Sequence, residues 1–319
     1  MSRTVLVIGE PDDRHVTEVA GLLAARGVRP LLFDFVRQPV IGGRLTWTLG
    51  DGRAGAAVNV DGEWVDLDDV DAVWWRVKLV EGTGVLTRGG SMPDFALREW
   101  FAVLDSLEHL APAARWTNRR SASSVARLKP VQLRVATEVG LAVPRTLVSN
   151  DPGELADFSA SSSVYKVLTW YYRHPNEMIF TSEVRPGDVL ADPDAVRMAP
   201  CLLQERVAKD HELRVTVVGQ ETVAVRIDSQ HHPDARVDWR RAQHDLGYRV
   251  VPLESDLERA LREMNRRLGL EFGAYDLAVT PDGEPVFFEV NPVGQWLWLE
   301  QACNAPISAA VSAHLAEGG

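Results

Sequence analysis

Two carboxylates near the carboxyl end of the chain stand where a β-hairpin would bring them onto one face of a sheet. Asp276 lies in a predicted strand, and the Asp282-Gly283 pair marks the turn before a returning strand over 285–291. Side chains two apart on a strand share a face, so Glu289 and Asn291 point the same way and can lie beside Asp276. Two carboxylates and an amide oxygen form a hard oxygen site that suits Mg²⁺ carrying nucleotide phosphates. The hairpin therefore predicts ATP chemistry in a chain without a Walker A sequence.

An ordinary hairpin with solvated carboxylates would show the same local pattern. The returning strand argues against that alternative, because Val286, Phe287, Phe288 and Val290 are apolar, as in a buried strand. Buried carboxylates need a partner or a metal ion.

Lysine is used sparingly in this chain, where almost all basic residues are arginine. The lysines are Lys78, Lys129, Lys166 and Lys209. Lysine offers a compact point charge for a phosphate, and Lys166 stands between apolar neighbours of a predicted strand, where an ammonium group is costly unless it is neutralised. We therefore weigh phosphate contacts for Lys129 and Lys166 against exposed positions, and expect ordinary surface positions for Lys78 and Lys209.

The amino-terminal part predicts a βαβ opening, with a strand over 4–8, a helix over 13–26 and a strand over 30–35. The turn Gly9–Asp13 after the first strand is not a GxGxxG loop, so NAD binding has little support. A polar stretch around Ser121–Ser124 is interpreted as a linker that marks a domain boundary.

Composition excludes several classes of protein. The net charge of −11 argues against a general nucleic-acid binder, which needs a basic face. Cys201 and Cys303 give neither a disulfide framework nor metal-ligand spacing. No apolar stretch approaches the ~20 residues of a membrane span, and the first apolar run is too short for a signal peptide. We expect a cytoplasmic protein with no nucleic-acid or membrane partner.

Further candidate ATP ligands precede the hairpin. The segment Gln204–Val207 ends a predicted strand, and its backbone can pair with the edge of an adenine. Glu212 and Arg214 share a face of the next strand, as do Arg226 and Asp228 one strand later. The arginine fork binds two phosphate oxygens and stays charged. Each pair alone is typical of a surface ion pair, but their order before the carboxylate hairpin favours an ATP site.

Together these motifs resemble the ATP-grasp superfamily and, within it, the graspetide synthetases, including their actinobacterial branch. Those enzymes are ligases that macrocyclise ribosomal peptides of the microviridin type. The resemblance covers nearly the whole chain and is carried by Lys129–Arg134, Pro144–Pro152, Arg226–Gln230 and Asn291–Trp296, with the closing segment through Glu300 the most specific.

The resemblance implies an α/β (α+β) ATP-grasp fold in three parts. These are an N-terminal pre-ATP-grasp domain over residues 1–120, a central subdomain over 121–206 and a C-terminal subdomain over 207–319. ATP would lie between the last two.

It also implies roles for single residues. Lys129 and Lys166 would contact phosphates and adenine, Glu205 and Val207 would hold adenine, and Glu212 would hold the ribose. Arg214 and Arg226, with Arg240 as a weaker candidate in the same pocket, would face the γ-phosphate and the acyl phosphate. Asp276, Glu289 and Asn291 would bind two Mg²⁺ ions.

One stretch departs from the family pattern. Many ATP-grasp enzymes cover the phosphates with a glycine-rich loop, whereas Thr169–Ser182 contains no glycine. In this chain the phosphates of ATP would then have to be covered by side chains or by closure of a hairpin. The aromatic, arginine-bearing stretch 169–190 is interpreted as part of a leader-peptide groove, with Arg173 and Arg185 as candidate anchors; packing of its aromatic side chains on the core is the alternative.

The implied reaction uses ATP and Mg²⁺ to phosphorylate Asp or Glu side chains of a ribosomal precursor peptide with a leader and a core. Thr or Ser hydroxyls of that peptide then form esters, or a Lys amine forms an amide. Two other functions stay open: a ligase that adds free amino acids to a protein or small molecule, and a non-catalytic nucleotide-binding protein. A homodimer is also left open.

Overall fold

A computed structural model describes residues 2–35, 43–50, 53–77, 86–87, 90–91, 94–169 and 179–317. Lys78 and Arg173, both singled out above, lie outside these ranges. The first elements in chain order are β1 (Thr4–Ile8), α1 (Arg14–Ala25), β2 (Arg29–Phe33), β3 (Arg44–Gly50), β4 (Arg53–Val60), β5 (Glu63–Asp66), β6 (Ala72–Trp75), β7 (Leu86–Thr87), β8 (Gly90–Ser91), α2 (Asp94–Leu110) and β9 (Arg115–Thr117). The remaining elements are α3 (Arg120–Ala126), α4 (Lys129–Glu138), β10 (Thr146–Ser149), α5 (Pro152–Ser159), β11 (Ser163–Lys166), β12 (Ser182–Val184), α6 (Pro186–Leu190), α7 (Pro193–Met198), β13 (Cys201–Glu205), β14 (His211–Val218), β15 (Glu221–Ile227), β16 (Tyr248–Val251), α8 (Ser255–Leu268), β17 (Phe272–Val279), β18 (Pro285–Asn291), α9 (Leu297–Cys303) and α10 (Ile307–Ala316).

The amino-terminal part is built on a parallel sheet in the order β2-β1-β6-β9. All five residues of β1 are buried, as expected of a strand covered on both faces. The predicted βαβ opening is confirmed, with α1 between the parallel strands β1 and β2. The antiparallel sheet β3-β4-β5 lies beside this unit.

The interpretation of Ser121–Ser124 as a linker is wrong, because these residues lie in α3. Ser123 is buried, and the hydroxyl of Ser124 donates to the carbonyl of Arg120 at 2.9 Å. Ala126 packs into the core beneath the C-terminal sheet. A polar helix with small residues on its buried face looks like a linker in sequence, because its burial comes from a distant element.

Two antiparallel sheets follow along the chain. The central sheet has the order β10-β13-β11-β12, and the C-terminal sheet has the order β16-β15-β14-β17-β18. Helix α8 has an apolar stripe that includes Leu257, Leu261 and Met264, and this stripe packs on one face of the C-terminal sheet. Among the described helices, none has the length and apolar character needed to cross a membrane.

The loop after β18 is held by the amino-terminal part of the chain. Arg76, which is 2% exposed, donates from Nη1 to the carbonyls of Val293 (3.2 Å) and Gly294 (2.8 Å). Asn118 donates from Nδ2 to the carbonyls of Phe272 and Pro292, at 2.8 and 2.9 Å. These contacts connect the first sheet to the first residue of β17 and to the residues that follow β18.

Candidate functional site

A cleft lies between the central and the C-terminal sheets. It contains most of the residues singled out from the sequence, namely Lys129, Lys166, Glu205, Val207, Glu212, Arg240, Asp276 and Glu289. Other side chains that line it include Lys209, Arg236, Asp238, Trp239 and Phe288.

The carboxylates stand opposite each other on neighbouring strands. Asp276 of β17 pairs directly with Glu289 of β18, and the register then shifts so that Leu277 pairs with Phe287. The extra residue in this β-bulge is Phe288, which lets Phe288 and Glu289 both line the cleft although they are consecutive. Phe287 is thereby free to fill the core on the other side of the sheet.

Each carboxylate has a cationic partner. Arg214 donates from Nη1 to Oδ1 of Asp276 at 2.8 Å, and Lys129 Nζ lies 2.5 Å from Oε2 of Glu289. Arg240 Nη1 lies 4.0 Å from Oε1 of Glu289. A divalent cation at these carboxylates would therefore replace protein cations as their partner.

The two carboxylates differ in acidity. Burial raises the pKa of Asp276, and the neighbouring Glu289 raises it further, against the opposing charge of Arg214. Burial also acts to raise the pKa of Glu289, but the charges of Lys129, Arg240 and Lys166 outweigh it and hold that pKa below the usual range. Glu289 is thus the more acidic carboxylate of the pair.

Asn291 lies two residues after Glu289 on β18 and pairs with Ala274 of β17. Its Oδ1 accepts a hydrogen bond of 2.9 Å from the N–H of Val293. Over the described ranges, no group of three or more His, Cys, Asp or Glu side chains is placed to hold a metal ion. Two carboxylates and an amide fit Mg²⁺ that takes its other ligands from phosphate oxygens and water, as Mg²⁺ does with nucleotides.

Lys166 is the cation best placed for an anionic ligand. Its Nζ lies 4.4 Å from the centre of the Phe288 ring, and it donates no hydrogen bond to a residue that the structure describes. Burial lowers the pKa of Lys166 to about 8, although the charge of Glu289 opposes this. A half-buried ammonium group without a carboxylate at bonding distance is stabilised by a bound phosphate.

Lys209 is a site residue that the sequence interpretation missed. Its expected surface position is wrong, because the side chain is 5% exposed and Nζ lies 2.5 Å from Oε1 of Glu212. Nζ also donates to the carbonyl of Val237 at 3.2 Å. Burial raises the pKa of Glu212, while Lys209 and the hydroxyl of Ser229 lower it. No local pattern in the sequence distinguishes Lys209 from an exposed lysine.

The strand end predicted to face adenine lies at the cleft wall. Glu205 donates its N–H to the carbonyl of Arg145 at 2.9 Å, and Arg206 donates to the carbonyl of Ser162 at 3.0 Å. For the N–H of Val207, no acceptor is found among the described residues. This backbone donor is available to a ligand in the cleft.

Arg240 is oriented by a neighbouring carboxylate. Its Nε and Nη2 donate to the two oxygens of Asp238, at 2.8 and 2.6 Å. Asp238 also accepts the N–H of Thr181 at 3.0 Å, so it links this arginine to the strand region of the central sheet. Burial acts to lower the pKa of Arg240, but Asp238 and Glu289 raise it overall, so the guanidinium stays charged.

The structure does not bring Arg226 to Arg214. Arg226 pairs with Leu213, one residue before Arg214, and cross-strand partners share a face of the sheet. Arg226 therefore lies on the face opposite Arg214, where Nε donates to Oδ1 of Asp228 at 2.7 Å. Arg214 pairs with Asp276 across the sheet, and its buried Nε has no hydrogen-bond partner among the described residues.

The candidate peptide anchors are placed only in part. Arg185 is exposed and immediately precedes α6, where its N–H donates to Oδ2 of Asp188 at 2.8 Å. The segment 170–178, with Arg173, lies outside the described residues.

No protein-family model matches this chain, and the search of curated proteins finds no match. Solved structures do match over nearly the full length. The RiPP-associated ATP-grasp ligase of Chryseobacterium gregarium, solved with ADP and a leader and core peptide, has a TM-score of 0.84 at 24% identity, covering 98% of this chain and 96% of that one. Macrocyclase MdnC of Microcystis aeruginosa, bound with precursor peptide MdnA, gives 0.81 at 28% identity, with 98% and 99% covered. Macrocyclase MdnB of the same organism gives 0.78 at 28% identity, with 99% and 100% covered.

These matches confirm the ATP-grasp fold and the resemblance to graspetide synthetases. The α/β (α+β) fold class predicted from the sequence is confirmed with them.

Proposed function

We propose that this chain, an ATP-grasp ligase, closes rings in a ribosomal precursor peptide by joining Asp or Glu side chains to Thr or Ser hydroxyls. The observation that supports this most is the cleft in which the paired Asp276 and Glu289 face the partly buried Lys166. A full-length likeness at 28% identity to a macrocyclase solved with its precursor peptide supports the class of substrate.

The reaction needs two steps because a carboxylate is a poor acyl donor. A side-chain carboxylate oxygen attacks the γ-phosphorus of ATP, the bond to the bridging oxygen breaks, and ADP leaves an acyl phosphate behind. A hydroxyl oxygen of the same peptide then attacks the acyl carbon, loses its proton, and inorganic phosphate leaves. The peptide loses one water per ring, and a Lys amine at the second step would give an amide in its place.

Phosphoryl transfer depends on positioning and on neutralising charge. In the proposal Asp276, Glu289 and Asn291 hold Mg²⁺, which neutralises phosphate charge when it is bound. Lys129 and Lys166 supply cations to the same phosphates.

The other lining residues bind the remaining parts of the nucleotide and the acyl group. The backbone at Glu205 and Val207 holds adenine, and Glu212 holds the ribose. Arg240, fixed by Asp238, stabilises the transferring phosphoryl group and the acyl phosphate. Arg214 orients Asp276, and the opposite-face position of Arg226 leaves it out of this assignment.

The domain division also remains a proposal, with residues 1–120, 121–206 and 207–319 as the three parts. It is supported by the sheets, since the parallel sheet ends at Thr117, the central sheet spans 146–205 and the C-terminal sheet spans 211–291. A cytoplasmic location belongs to the same proposal.

Peptide binding is assigned to the stretch 169–190, with Arg173 and Arg185 as leader anchors. Arg185 is exposed and so accessible to a partner. The double variant Arg173→Ala/Arg185→Ala is expected to weaken precursor binding, measured by fluorescence anisotropy of a labelled leader peptide; unchanged affinity would argue against these anchors.

Mass spectrometry tests the reaction directly. The purified protein, ATP, Mg²⁺ and the precursor peptide encoded beside its gene should give a peptide lighter by one water per ring. Glu289→Gln should abolish the loss, whereas Glu284→Gln, on the exposed turn of the same hairpin, should retain it. An unchanged peptide mass with the wild-type protein refutes the proposal.

The same spectrum separates the alternatives. A gain in mass equal to an added amino acid indicates a ligase for free amino acids. Full cellular function of the Glu289→Gln variant would indicate a non-catalytic nucleotide-binding protein.

A further inference from the structure

The strand that carries the proposed metal ligands lies at the edge of its sheet. β18 is the last strand in the order β16-β15-β14-β17-β18, and among the described residues its outer side carries one isolated bridge, between Val286 and Ala142, in place of a full neighbouring strand. Val290 stands between Glu289 and Asn291, the two proposed ligands on this strand. Any movement of the Val290 peptide groups would therefore move both ligands.

A side-chain amide takes the place of a neighbouring strand at this point. Gln132 accepts the N–H of Val290 at Oε1 (3.0 Å) and donates from Nε2 to the carbonyl of Val290 (2.9 Å). Its Nε2 also donates to the carbonyl of Ala126 at 2.5 Å. Gln132 is 2% exposed, so these bonds form away from water, where leaving a backbone group unpaired is costly.

The same helix holds the strand by a second, electrostatic contact. Lys129 and Gln132 are three residues apart on α4 and so lie on one side of it. Lys129 bonds the carboxylate of Glu289, while Gln132 bonds the next peptide unit along the strand. The lysine contact depends on the charge of Glu289, and the glutamine contact does not.

We propose that Gln132 is a positioning residue that keeps α4 and the Glu289–Asn291 strand in register while Lys129 changes partner. This inference rests on the proposed function, in which Glu289 binds Mg²⁺. Lys129 then loses its carboxylate and turns to phosphate. The two neutral bonds of Gln132 to Val290 persist through that exchange and hold the metal ligands in place.

Two variants test the role. Gln132→Glu keeps the shape but replaces the donor Nε2 with an oxygen, and Gln132→Met removes both bonds without burying a charge. Loss of a residue that orients metal ligands typically costs 10–100-fold in metal affinity. We expect Mn²⁺ affinity in the presence of ADP, measured by electron paramagnetic resonance, to fall by about that factor, while ADP affinity in EDTA changes by less than about threefold.

A matched control separates positioning from general stability. Asn265 is a buried amide beneath the same sheet, where it accepts the hydroxyl of Tyr275 at 2.6 Å. Asn265→Asp should lower the melting temperature and leave Mn²⁺ affinity unchanged.

The proposal is overturned if either folded Gln132 variant binds Mn²⁺ as tightly as the wild type, or if all three variants lose metal affinity in proportion to their melting temperatures. Should one Gln132 variant fail to fold, the other decides. Because this assay contains no peptide, failure of ring formation by the wild-type protein is a separate result that tests the proposed function alone.

Discussion

Raising the pH from 7 to 9 is expected to weaken nucleotide binding through Lys166. Burial lowers the pKa of Lys166 to about 8 in the chain without a ligand. A bound phosphate stabilises the charged ammonium group and returns its pKa toward the ordinary value of about 10.4. Since the pKa is higher in the bound form, the contribution of Lys166 to binding is complete well below pH 8. It is lost progressively as the pH rises from about 8 to about 10.4.

The size of the effect follows from the two pKa values. At pH 9 roughly nine in ten unliganded molecules carry a neutral Lys166, whereas the bound form stays protonated. Affinity should therefore fall about tenfold, or about 1.4 kcal/mol, with uptake of about 0.9 proton per nucleotide bound. Isothermal titration of ADP with Mg²⁺ at pH 7 and 9, in buffers of different ionisation enthalpy, measures both the affinity and the proton uptake.

Lys166→Arg provides the control, because arginine stays charged throughout this range. The variant should bind with the same affinity at both pH values and take up no proton. Parallel weakening of the wild type and Lys166→Arg, or an absence of proton uptake by the wild type at pH 9, would refute this account of the pocket.

Three further substitutions test the fold around the cleft. Gly294→Ala should lower the free energy of unfolding by about 1–3 kcal/mol, measured by urea denaturation, because the added methyl group would lie 2.4 Å from the side chain of Ala274 in β17. The control variant Gly21→Ala adds its methyl group into open space and should show no such loss. Arg240→Ala should lower kcat of ring formation by about 10²–10³-fold. Arg226→Ala should lower kcat far less, because Arg226 lies on the other face of the sheet. Equal losses of kcat in the two variants would contradict the assigned faces. Arg76→Ala should cost about 3 kcal/mol of unfolding free energy, since it removes buried charge-assisted hydrogen bonds, and a cost below about 1 kcal/mol in urea denaturation would contradict this.

Local patterns in the sequence were sufficient to identify the elements that carry the site. The βαβ opening predicted from the sequence forms as β1, α1 and β2, and the carboxylate hairpin forms with its turn at Asp282-Gly283. Both have strong signals within one short segment, namely helical periodicity and a turn pair between apolar runs. The placement of Asp276 beside Glu289 followed from the alternation of a strand.

The face occupied by Arg226 was also within reach of the sequence. β14 and β15 are joined by Gly219 and Gln220, so that Val218 pairs with Glu221. A two-residue turn fixes the register of every later pair, and it sets Arg226 opposite Leu213 and not Arg214. Chain order alone suggested a shared site, but register decides which face a side chain takes.

Other features depend on contacts between distant segments and left no local signal. The bulge at Phe288 exists because β18 must present Glu289 to the cleft and Phe287 to the core, which strict alternation would place on one side. Lys209 has the sequence surroundings of an exposed residue and is buried by its contact with Val237, in a segment that follows β15. Such positions become visible only once the strands are paired.

The charges of the cleft explain why its carboxylates and cations can stay partly buried before a ligand arrives. Glu289 is stabilised by Lys129, and Asp276 by Arg214, so neither carboxylate lacks a counter-charge. In the proposed site, nucleotide bound with Mg²⁺ would bring anionic phosphates and a cation together. Glu289 and Lys129, which pair with each other in the structure, would then take the metal and a phosphate as their partners, and no charge would be left unpaired. Metal alone would displace Lys129 into a cleft that holds no new anion, and nucleotide alone would bring phosphates beside Glu289 while drawing away its lysine. Both partial states carry an uncompensated charge, so the arrangement favours binding of the two ligands together.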